Sequence, residues 1–192
     1  MLEFLQQIDI QIFYAINRGL LNAFFDWLMP VITKKENGFP LWIAAIVLML
    51  WKGGKKGRIA VLLVIPLITL SDQLSASVFK PLFERVRPCV ALENVHLLVG
   101  MKTSWSFPSA HATNIFAAAT YFSAVYPRGK LFYFILAVLV SLSRIYIGVH
   151  YPFDVLAGAL LGSAVAWGVI YAYRGSVLLY GKWSEKEIKP LF

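Results

Sequence analysis

Residues 155–173 read VLAGALLGSAVAWGVIYAY, and this uncharged run decides the class of the fold. An apolar stretch of about 18 or more residues is long enough to cross a bilayer as one helix. The whole chain has the same character, since 59% of its 192 residues are hydrophobic and only 15% are charged. Soluble domains carry about 25% charged residues, so the composition excludes an ordinary soluble fold as well as a disordered chain. We therefore expect an all-α integral membrane protein.

Five further apolar stretches are shorter than this run or carry a charged residue. Asp26 and Asp72 interrupt two of them, and polar groups in a membrane segment are expected to face the interior of a helix bundle. The sequence thus predicts a six-helix transmembrane bundle that forms one domain over residues 1–192, with an outer loop at 80–107. The predicted spans are 19–33, 38–51, 58–79, 109–127, 130–148 and 152–174.

The amino-terminal stretch is amphipathic, because its apolar residues recur at helical spacing. It contains Glu3 and Asp9 but no early Lys or Arg, which is unlike a cleaved signal peptide. We expect it to be retained as a helix that lies at the membrane interface. Cys89 is the only cysteine, so the chain can form neither an intrachain disulfide nor a cysteine-based metal site.

The distribution of positive charge predicts the orientation in the membrane. The chain has 18 Lys and Arg residues against 10 Asp and Glu residues, a net charge of +8. With six spans, more than half of the basic residues lie on the side of both termini, and the positive-inside rule places that side in the cytoplasm. The loop 80–107 and the turn at His150 would then face the exterior. Because the basic residues are divided between the two sides, nucleic-acid binding is disfavoured.

A first cluster of phosphate-binding residue types reads KPLFERVRP over residues 80–88. Lys80 and Arg87 are seven positions apart, or two helical turns, and share one face if the segment is helical. A guanidinium group binds two phosphate oxygens through its planar fork, and an ammonium group acts as a point charge. Alternatively, such a cluster would only contact lipid headgroups beside the membrane.

A second cluster, SFPSAH at residues 106–111, directly precedes an apolar run. Pro108 is suited to the first turn of a helix, and the free backbone N–H groups at a helix start bind anions. Ser109 would add a hydroxyl donor next to His111. The alternative is a plain helix cap followed by a histidine at the membrane interface.

A third cluster reads SRIYIGVHYPFD over residues 143–154. His150 and Asp154 are four positions apart and share a helix face. A carboxylate bonded to one ring nitrogen fixes the tautomer and leaves the other nitrogen able to attack phosphorus. Arg144 can reach the same phosphate. The alternative is an interfacial ion pair, although an Asp at the start of the longest apolar run needs a partner.

Together the three clusters resemble the signature of the type 2 phosphatidic acid phosphatase family, which reads KxxxxxxRP, PSGH and SRxxxxxHxxxD. Every spacing agrees, and the one departure is Ala110, where the family has glycine. Both residues are small, although alanine restricts φ more than glycine does. The resemblance extends over residues 20–175 and implies a helical membrane phosphatase.

The resemblance also implies a role for each motif residue. His150 would be the nucleophile that takes the phosphoryl group, with Asp154 orienting its ring. His111 would be the general acid for the leaving oxygen and then the base that activates water. Phosphoryl transfer depends mainly on positioning and charge neutralisation, and family members work without a metal, so we expect no cofactor and no metal site. The non-bridging phosphate oxygens would be held by Lys80, Arg87, Arg144, Ser109 and the N–H of Ala110.

A site of this kind at the outer membrane face implies an amphiphilic substrate, whose phosphate lies at the interface while its tails stay in the lipid. Within the family the chain resembles bacterial lipid A 1-phosphatases, which implies the bacterial inner membrane with a site that faces the periplasm. Phosphatidylglycerophosphate and undecaprenyl diphosphate are alternative substrates. A lipid phosphotransferase would share every motif, and an anion or lipid transporter would use the basic cluster without the His150–Asp154 pair.

Four polar residues lie outside these motif positions. We hypothesise that Asp72 pairs with a phosphate-binding cation, the alternative being hydrogen bonding within the bundle. Glu84 and Arg85 are expected to pair with each other or with lipid headgroups. His96 is expected to be a loop histidine without a catalytic role.

Overall fold

The computed structural model describes residues 2–184 and 188–192, and this part of the chain is helical without a strand. The all-α class is therefore confirmed. A π-helical turn, Leu74–Phe79, joins α4 to α5, and a 3₁₀ turn, Pro127–Gly129, precedes α8. The α-helices are α1 (Leu2–Asn17), α2 (Ala23–Thr33), α3 (Lys35–Lys52), α4 (Gly54–Gln73), α5 (Lys80–Phe83), α6 (Pro88–Ala91), α7 (Ala110–Val125), α8 (Lys130–Tyr146) and α9 (Pro152–Trp183).

Three helical segments of the described chain are long and apolar enough to cross a membrane: Gly54–Ala91, Pro127–Tyr146 and Pro152–Trp183. They contain most of the predicted spans 58–79, 130–148 and 152–174. The other candidates are weaker, because α2 has 11 residues and α3 carries three charged residues. With 16 residues, α7 is about 24 Å long, whereas a hydrocarbon core measures about 30 Å. The count of six spans therefore stays a prediction.

The packing of α7 on α9 fixes the centre of the molecule. Two glycines of α9, Gly158 and Gly162, face α7 so closely that a Cβ atom on either would collide with its backbone. At Gly158 the added carbon would lie 2.6 Å from the carbonyl oxygen of Ser109. Small residues at such spacing let two membrane helices approach closely. The helix that begins at Ser109 and the helix that carries Asp154 are therefore held in tight contact.

Below this contact, α4, α7 and α9 share an apolar core. Leu67, Tyr121 and Ile170 are fully buried in it. The Tyr121 hydroxyl donates a hydrogen bond of 3.1 Å to the carbonyl oxygen of Ala60, so the one polar atom of that side chain is satisfied inside the bundle. This core packs together α4, which leads toward the first motif, and α7 and α9, which begin with residues of the second and third motifs.

The first helix, α1, is present as predicted and packs against α8 and α9. Its residues Asp9, Phe13 and Asn17 are fully buried and form one stripe, since they are four positions apart. Asn17 Nδ2 donates hydrogen bonds to the carbonyl oxygens of Tyr146 and His96, at 2.7 and 2.8 Å. The helix is therefore part of the bundle, and its position at the membrane interface stays a prediction.

Candidate active site

The three sequence motifs meet at one end of the bundle. The first occupies the short helices α5 and α6, the second is the start of α7, and the third spans the turn between α8 and α9. The backbone N–H of Ser109 donates a hydrogen bond of 2.9 Å to the carbonyl oxygen of Asp154, which joins the second motif to the third. The predicted outer loop thus begins with helical turns, and the chain from 92 to 109 closes over this end without regular helix.

Arg87 is the most extensively bonded cation of the site, and its side chain is 5% exposed. Its guanidinium group donates to the carbonyl oxygens of Ser104, Val149 and Trp105 at 2.6, 2.8 and 3.2 Å. Nη1 also lies 3.0 Å from Nε2 of His150. Arg87 therefore holds together the loop before α7 and the turn before α9.

Lys80 reaches the same loop from α5. Its Nζ donates a hydrogen bond of 2.9 Å to the carbonyl oxygen of Trp105, which Arg87 also contacts. The two predicted phosphate-binding cations of the first motif thus converge on one carbonyl group. They come together because the chain turns at Glu84, whose φ of 46° is left-handed, and continues into α6.

The contacts of His150 determine which of its ring nitrogens carries the proton. A guanidinium group has only donors, so Nε2 must accept the bond from Arg87 and must hold a lone pair. Nδ1 then carries the proton and faces Oδ2 of Asp154 at 3.4 Å. Asp154 itself is fully buried and is held by the backbone N–H of Tyr151 at 2.9 Å. The imidazole therefore presents a nucleophilic nitrogen toward the Arg87 side.

The surroundings of His150 favour the neutral ring. Burial of the side chain lowers the pKa of His150 to about 3, and the positive charges of Arg87 and Arg144 act in the same direction. The Asp154 carboxylate opposes this shift without reversing it. At neutral pH the imidazole is therefore uncharged, which is the form that can attack phosphorus.

At the start of α7, Ser109 is the N-cap residue, and its Oγ accepts a bond of 3.5 Å from the backbone N–H of Ala112. Ala110 is the first helical residue, and its φ is not among the positive values in the described chain. Alanine therefore adopts this conformation without strain. His111 follows in the first turn and lines the two cavities described below.

Arg144 ends α8 and points into the region between α2, α3 and α7. Its Nη1 donates a bond of 2.7 Å to the Thr33 hydroxyl, and the side chain is 6% exposed. Among the described residues, no hydrogen-bond acceptor reaches its buried Nε. A buried donor of this kind is costly to leave unsatisfied, and the same side chain lines the first of the two cavities described below.

Two cavities adjoin at this end of the molecule. The first has a volume of about 630 Å³ and is lined mainly by residues of polar or charged type, among them Arg144, His111, Lys34, Lys102 and Glu36. The second has a volume of about 530 Å³ and is lined mainly by apolar side chains of α3, α4 and α7. Thr33, Lys34 and His111 line both cavities. A polar chamber therefore opens directly beside an apolar groove.

The family model of the PAP2 superfamily matches residues 59–177, which contain all three motifs. The chain belongs to the PAP2 superfamily. It is 32% identical to the lipid A 4'-phosphatase of Bacteroides thetaiotaomicron, over 87% of this chain and 77% of that protein.

Two solved structures of PAP2 proteins resemble the fold. The crystal structure of Aquifex aeolicus LpxE has a TM-score of 0.70 and 29% identity, covering 85% of this chain and 95% of that one. The transmembrane PAP2 type phosphatidylglycerolphosphate phosphatase from Bacillus subtilis has a TM-score of 0.66 and 27% identity, covering 88% and 85%. The membrane phosphatase class expected from the sequence is thereby confirmed.

The expected pairing of Glu84 with Arg85 is wrong, and the alternative of contact with lipid headgroups stays a prediction. Arg85 of this PAP2 chain does not pair with Glu84 and instead forms ion pairs with Asp9 at 2.6 Å and Asp154 at 2.7 Å. The reason is the left-handed turn at Glu84, which separates two neighbouring side chains. Sequence reasoning missed Asp9, although its position four residues before Phe13, on an apolar helix face, is a signal of a buried charge.

The other two expectations concern Asp72 and His96. Asp72 accepts a hydrogen bond of 3.0 Å from Asn114 Nδ2, which agrees with the alternative of bonding within the bundle. Nε2 of His96 lies 2.9 Å from the Asp26 carboxylate. The Tyr146 hydroxyl donates to the same carboxylate oxygen at 2.6 Å. His96 is thus a loop residue bonded to α2, and the Asp26 carboxylate joins it to Tyr146 of α8.

Proposed function

We propose that this PAP2 protein hydrolyses the phosphate monoester of a membrane lipid through a phosphohistidine formed on His150. The observation that carries the proposal is the pair of contacts made by the His150 ring, in which Nε2 lies 3.0 Å from Nη1 of Arg87 and Nδ1 lies 3.4 Å from Oδ2 of Asp154. A nucleophile oriented by a carboxylate is the arrangement that nucleophilic catalysis requires.

In the first step, the lone pair of His150 Nε2 attacks phosphorus, and the bond between phosphorus and the lipid oxygen breaks. His111 donates a proton to that oxygen, so that the lipid leaves as an alcohol. The proton on Nδ1 remains between His150 and Asp154, whose negative charge stabilises the ring as it becomes positive. The product of this step is a phosphoryl group on Nε2.

In the second step, His111, now neutral, takes a proton from water as the water oxygen attacks phosphorus. The bond between phosphorus and Nε2 breaks, inorganic phosphate leaves, and the lone pair returns to Nε2. His111 ends the cycle protonated. The same histidine thus acts as the general acid in the first step and as the general base in the second.

The cations around His150 would neutralise the negative charge of the bound phosphate group. Arg87 already contacts the nucleophilic nitrogen. Its N–H groups are therefore placed to donate hydrogen bonds to a phosphate oxygen bound beside that nitrogen. Arg144 brings a buried N–H without an acceptor in the described part of the chain, and Lys80 converges on the same loop. Ser109 and the N–H of Ala110 add the positive end of α7.

The two cavities support an amphiphilic substrate. The polar chamber of about 630 Å³ holds His111 and Arg144, where a phosphorylated headgroup would lie. The apolar groove of about 530 Å³ continues from it and would take a hydrocarbon chain. Lys34 and Lys102 at the polar chamber favour a headgroup with more than one negative charge.

We propose lipid A as the first substrate to test, with the 1-phosphate as the candidate from the sequence. The relative from Bacteroides is a lipid A 4'-phosphatase, so the 4'-phosphate is the competing position on the same molecule. Phosphatidylglycerophosphate follows as the alternative supported by the Bacillus structure. Undecaprenyl diphosphate and transfer of the phosphoryl group to a second lipid share the same first step.

The test is a panel of lipid phosphates given to the purified protein in detergent. Bisphosphorylated lipid A, its two monophosphates, phosphatidylglycerophosphate and undecaprenyl diphosphate are compared by phosphate release and by mass spectrometry of the lipid product. We expect release that is fastest with lipid A and absent from the His150→Ala variant. Equal release by that variant contradicts the mechanism, and a phosphorylated acceptor lipid in place of free phosphate identifies a transferase.

A further inference from the structure

The Arg85 guanidinium group lies between two carboxylates that are each fully buried. Nη1 contacts Oδ1 of Asp154 at 2.7 Å, and Nη2 contacts Oδ2 of Asp9 at 2.6 Å. Asp154 is the partner of His150, whereas Asp9 belongs to α1 and lies outside the residues 59–177 that match the PAP2 family. Charged groups in contact therefore connect Asp9 of α1, through Arg85 and Asp154, to the ring of His150.

Asp9 also holds the helix on which Asp154 is placed. Its second oxygen, Oδ1, accepts a bond of 2.9 Å from the backbone N–H of Phe153, in the first turn of α9. That N–H has no acceptor within its own helix, and a negative charge at a helix start is favourable. The Asp9 carboxylate of α1 thus caps the start of α9, one residue before Asp154.

The Arg85 side chain is fixed on its other sides as well. Its guanidinium carbon lies 4.0 Å from the centre of the Tyr151 ring, a cation–π contact. The main chain at Arg85 is held separately, because its backbone carbonyl oxygen accepts a bond of 2.7 Å from the backbone N–H of Ser106. The side chain is 25% exposed, so solvent reaches it only in part.

These contacts determine how the Asp154 carboxylate is turned. Arg85 occupies Oδ1, so that Oδ2 is left to face Nδ1 of His150 and the N–H of Tyr151. Rotation of the carboxylate would break the Arg85 ion pair in a buried setting, where an unpaired charge is costly. A fixed carboxylate keeps the proton on Nδ1 and the lone pair on Nε2.

We propose that Arg85 is a positioning residue for the Asp154–His150 pair and that Asp9 holds Arg85 in place, which makes the amino-terminal helix a functional part of the site. The inference rests on the proposed role of His150 as nucleophile. It assigns no contact with substrate to Asp9 or Arg85. Their effect is exerted through the orientation of Asp154.

The test compares Asp9→Asn and Arg85→Gln with a control that loosens α1 elsewhere. Asn17→Ala is the matched control, because it removes hydrogen bonds from α1 to His96 and Tyr146 without touching Arg85. Loss of residues that orient a catalytic group lowers activity about 10- to 100-fold. We expect kcat of Asp9→Asn and Arg85→Gln to fall by about that factor with KM nearly unchanged, and Arg85→Lys to recover part of the loss.

A second readout separates positioning from general loosening of the fold. In a chain whose only histidine is His150 (His96→Gln and His111→Gln), ¹⁵N NMR reports the tautomer directly. We expect Asp9→Asn to lower the fraction with the proton on Nδ1 and Asn17→Ala to leave it unchanged, even where Asn17→Ala lowers the melting temperature more.

The outcomes distinguish this inference from the proposed function. Wild-type kcat and an unchanged tautomer in Asp9→Asn, together with an inactive His150→Ala, overturn the inference alone. Activity that persists in His150→Ala overturns the proposed function, whatever the result for Asp9. An equal loss of kcat in Asn17→Ala also counts against positioning, because it shows that loosening α1 is sufficient.

Discussion

At the scale of single residues, the site is a set of groups whose protonation is fixed by their neighbours. Arg87 can only donate, and this requires Nε2 of His150 to be the acceptor. Asp154 faces the other nitrogen at 3.4 Å, a distance longer than a strong hydrogen bond, and catalytic bonds often shorten when substrate is bound. The position of the proton on the His150 ring thus follows from which of its neighbours can only donate and which can only accept a hydrogen bond.

The covalent intermediate gives the first prediction. In the His111→Ala variant the missing acid slows transfer of the phosphoryl group to His150, and the missing base should slow its hydrolysis, so a phosphoryl group that reaches His150 should stay there. Incubation with ³²P-labelled lipid phosphate should leave an acid-labile, alkali-stable label on the protein. The same label in a His111→Ala, His150→Ala double variant would refute the assignment of the nucleophile.

The charge state of His150 gives the second prediction. Burial lowers the pKa of His150 to about 3, so the ring should stay neutral when the pH is lowered from 8 to 5. ¹⁵N NMR of the chain with His150 as its only histidine measures this, and a titration midpoint near 6.5 would contradict it. Because the unfolded chain binds this proton below pH 6.5 and the folded chain does not, this histidine should lower stability progressively as pH falls from 6.5 toward 3.

At the scale of helices, the contact of α7 with α9 decides whether the motifs meet. Ser109 and His111 start one helix, and Asp154 starts the other. Their relative position depends on Gly158 and Gly162, which leave room for the α7 backbone. A larger side chain at either position would separate His111 from His150.

Gly162→Ala tests this contact, because its new methyl group would collide with the carbonyl oxygen of Thr113. We expect a loss of about 1–3 kcal/mol in the free energy of unfolding, as for other overpacked sites, together with a lower kcat. Thermal unfolding in detergent and phosphate release are the measurements.

Gly168→Ala is the matched control on the same helix, since nothing lies within 4 Å of its added carbon. Removal of this glycine should leave activity unchanged and stabilise the helix by up to about 1 kcal/mol. Equal behaviour of Gly162→Ala and Gly168→Ala would show that the close approach of α7 and α9 is not required.

At the scale of the whole molecule, the site lies at one end of a bundle whose exterior is apolar. Leu62, Leu131 and Leu160 are each about two-thirds or more exposed, which is appropriate for side chains that face lipid. Three segments are long and apolar enough to cross a bilayer. The orientation predicted from the basic residues places the active-site end outside the cytoplasm.

Labelling of single cysteines measures this orientation. In a Cys89→Ser background, Lys102→Cys is placed near the site and Lys55→Cys at the start of α4, and both positions are exposed. An impermeant maleimide should label Lys102→Cys in right-side-out vesicles and Lys55→Cys only in inside-out vesicles. The reverse pattern would invert the predicted topology.

The sequence by itself determined the helical membrane class and, through the three motifs, the phosphatase family. Both are local properties: an apolar run as long as a bilayer is thick, a helix start at Ser109, and the four-residue spacing of His150 and Asp154. The apolar run and the helix start each lie within one helix, where backbone geometry fixes which side chains are neighbours. His150 lies two residues before the first residue of α9 and still reaches Asp154, because the two are only four positions apart.

Only the tertiary structure decided which distant residues support that chemistry. Arg85 contacts Asp9 and Asp154 at separations of 76 and 69 positions, and Arg144 reaches Thr33 across 111 positions. These pairs depend on how helices pack and on the left-handed turn at Glu84. Hydrophobic periodicity predicts that a helix face is buried, but it does not specify which other helix covers that face. For this reason the contact of Asp9, in the first helix, with Arg85 is evident only in the folded chain.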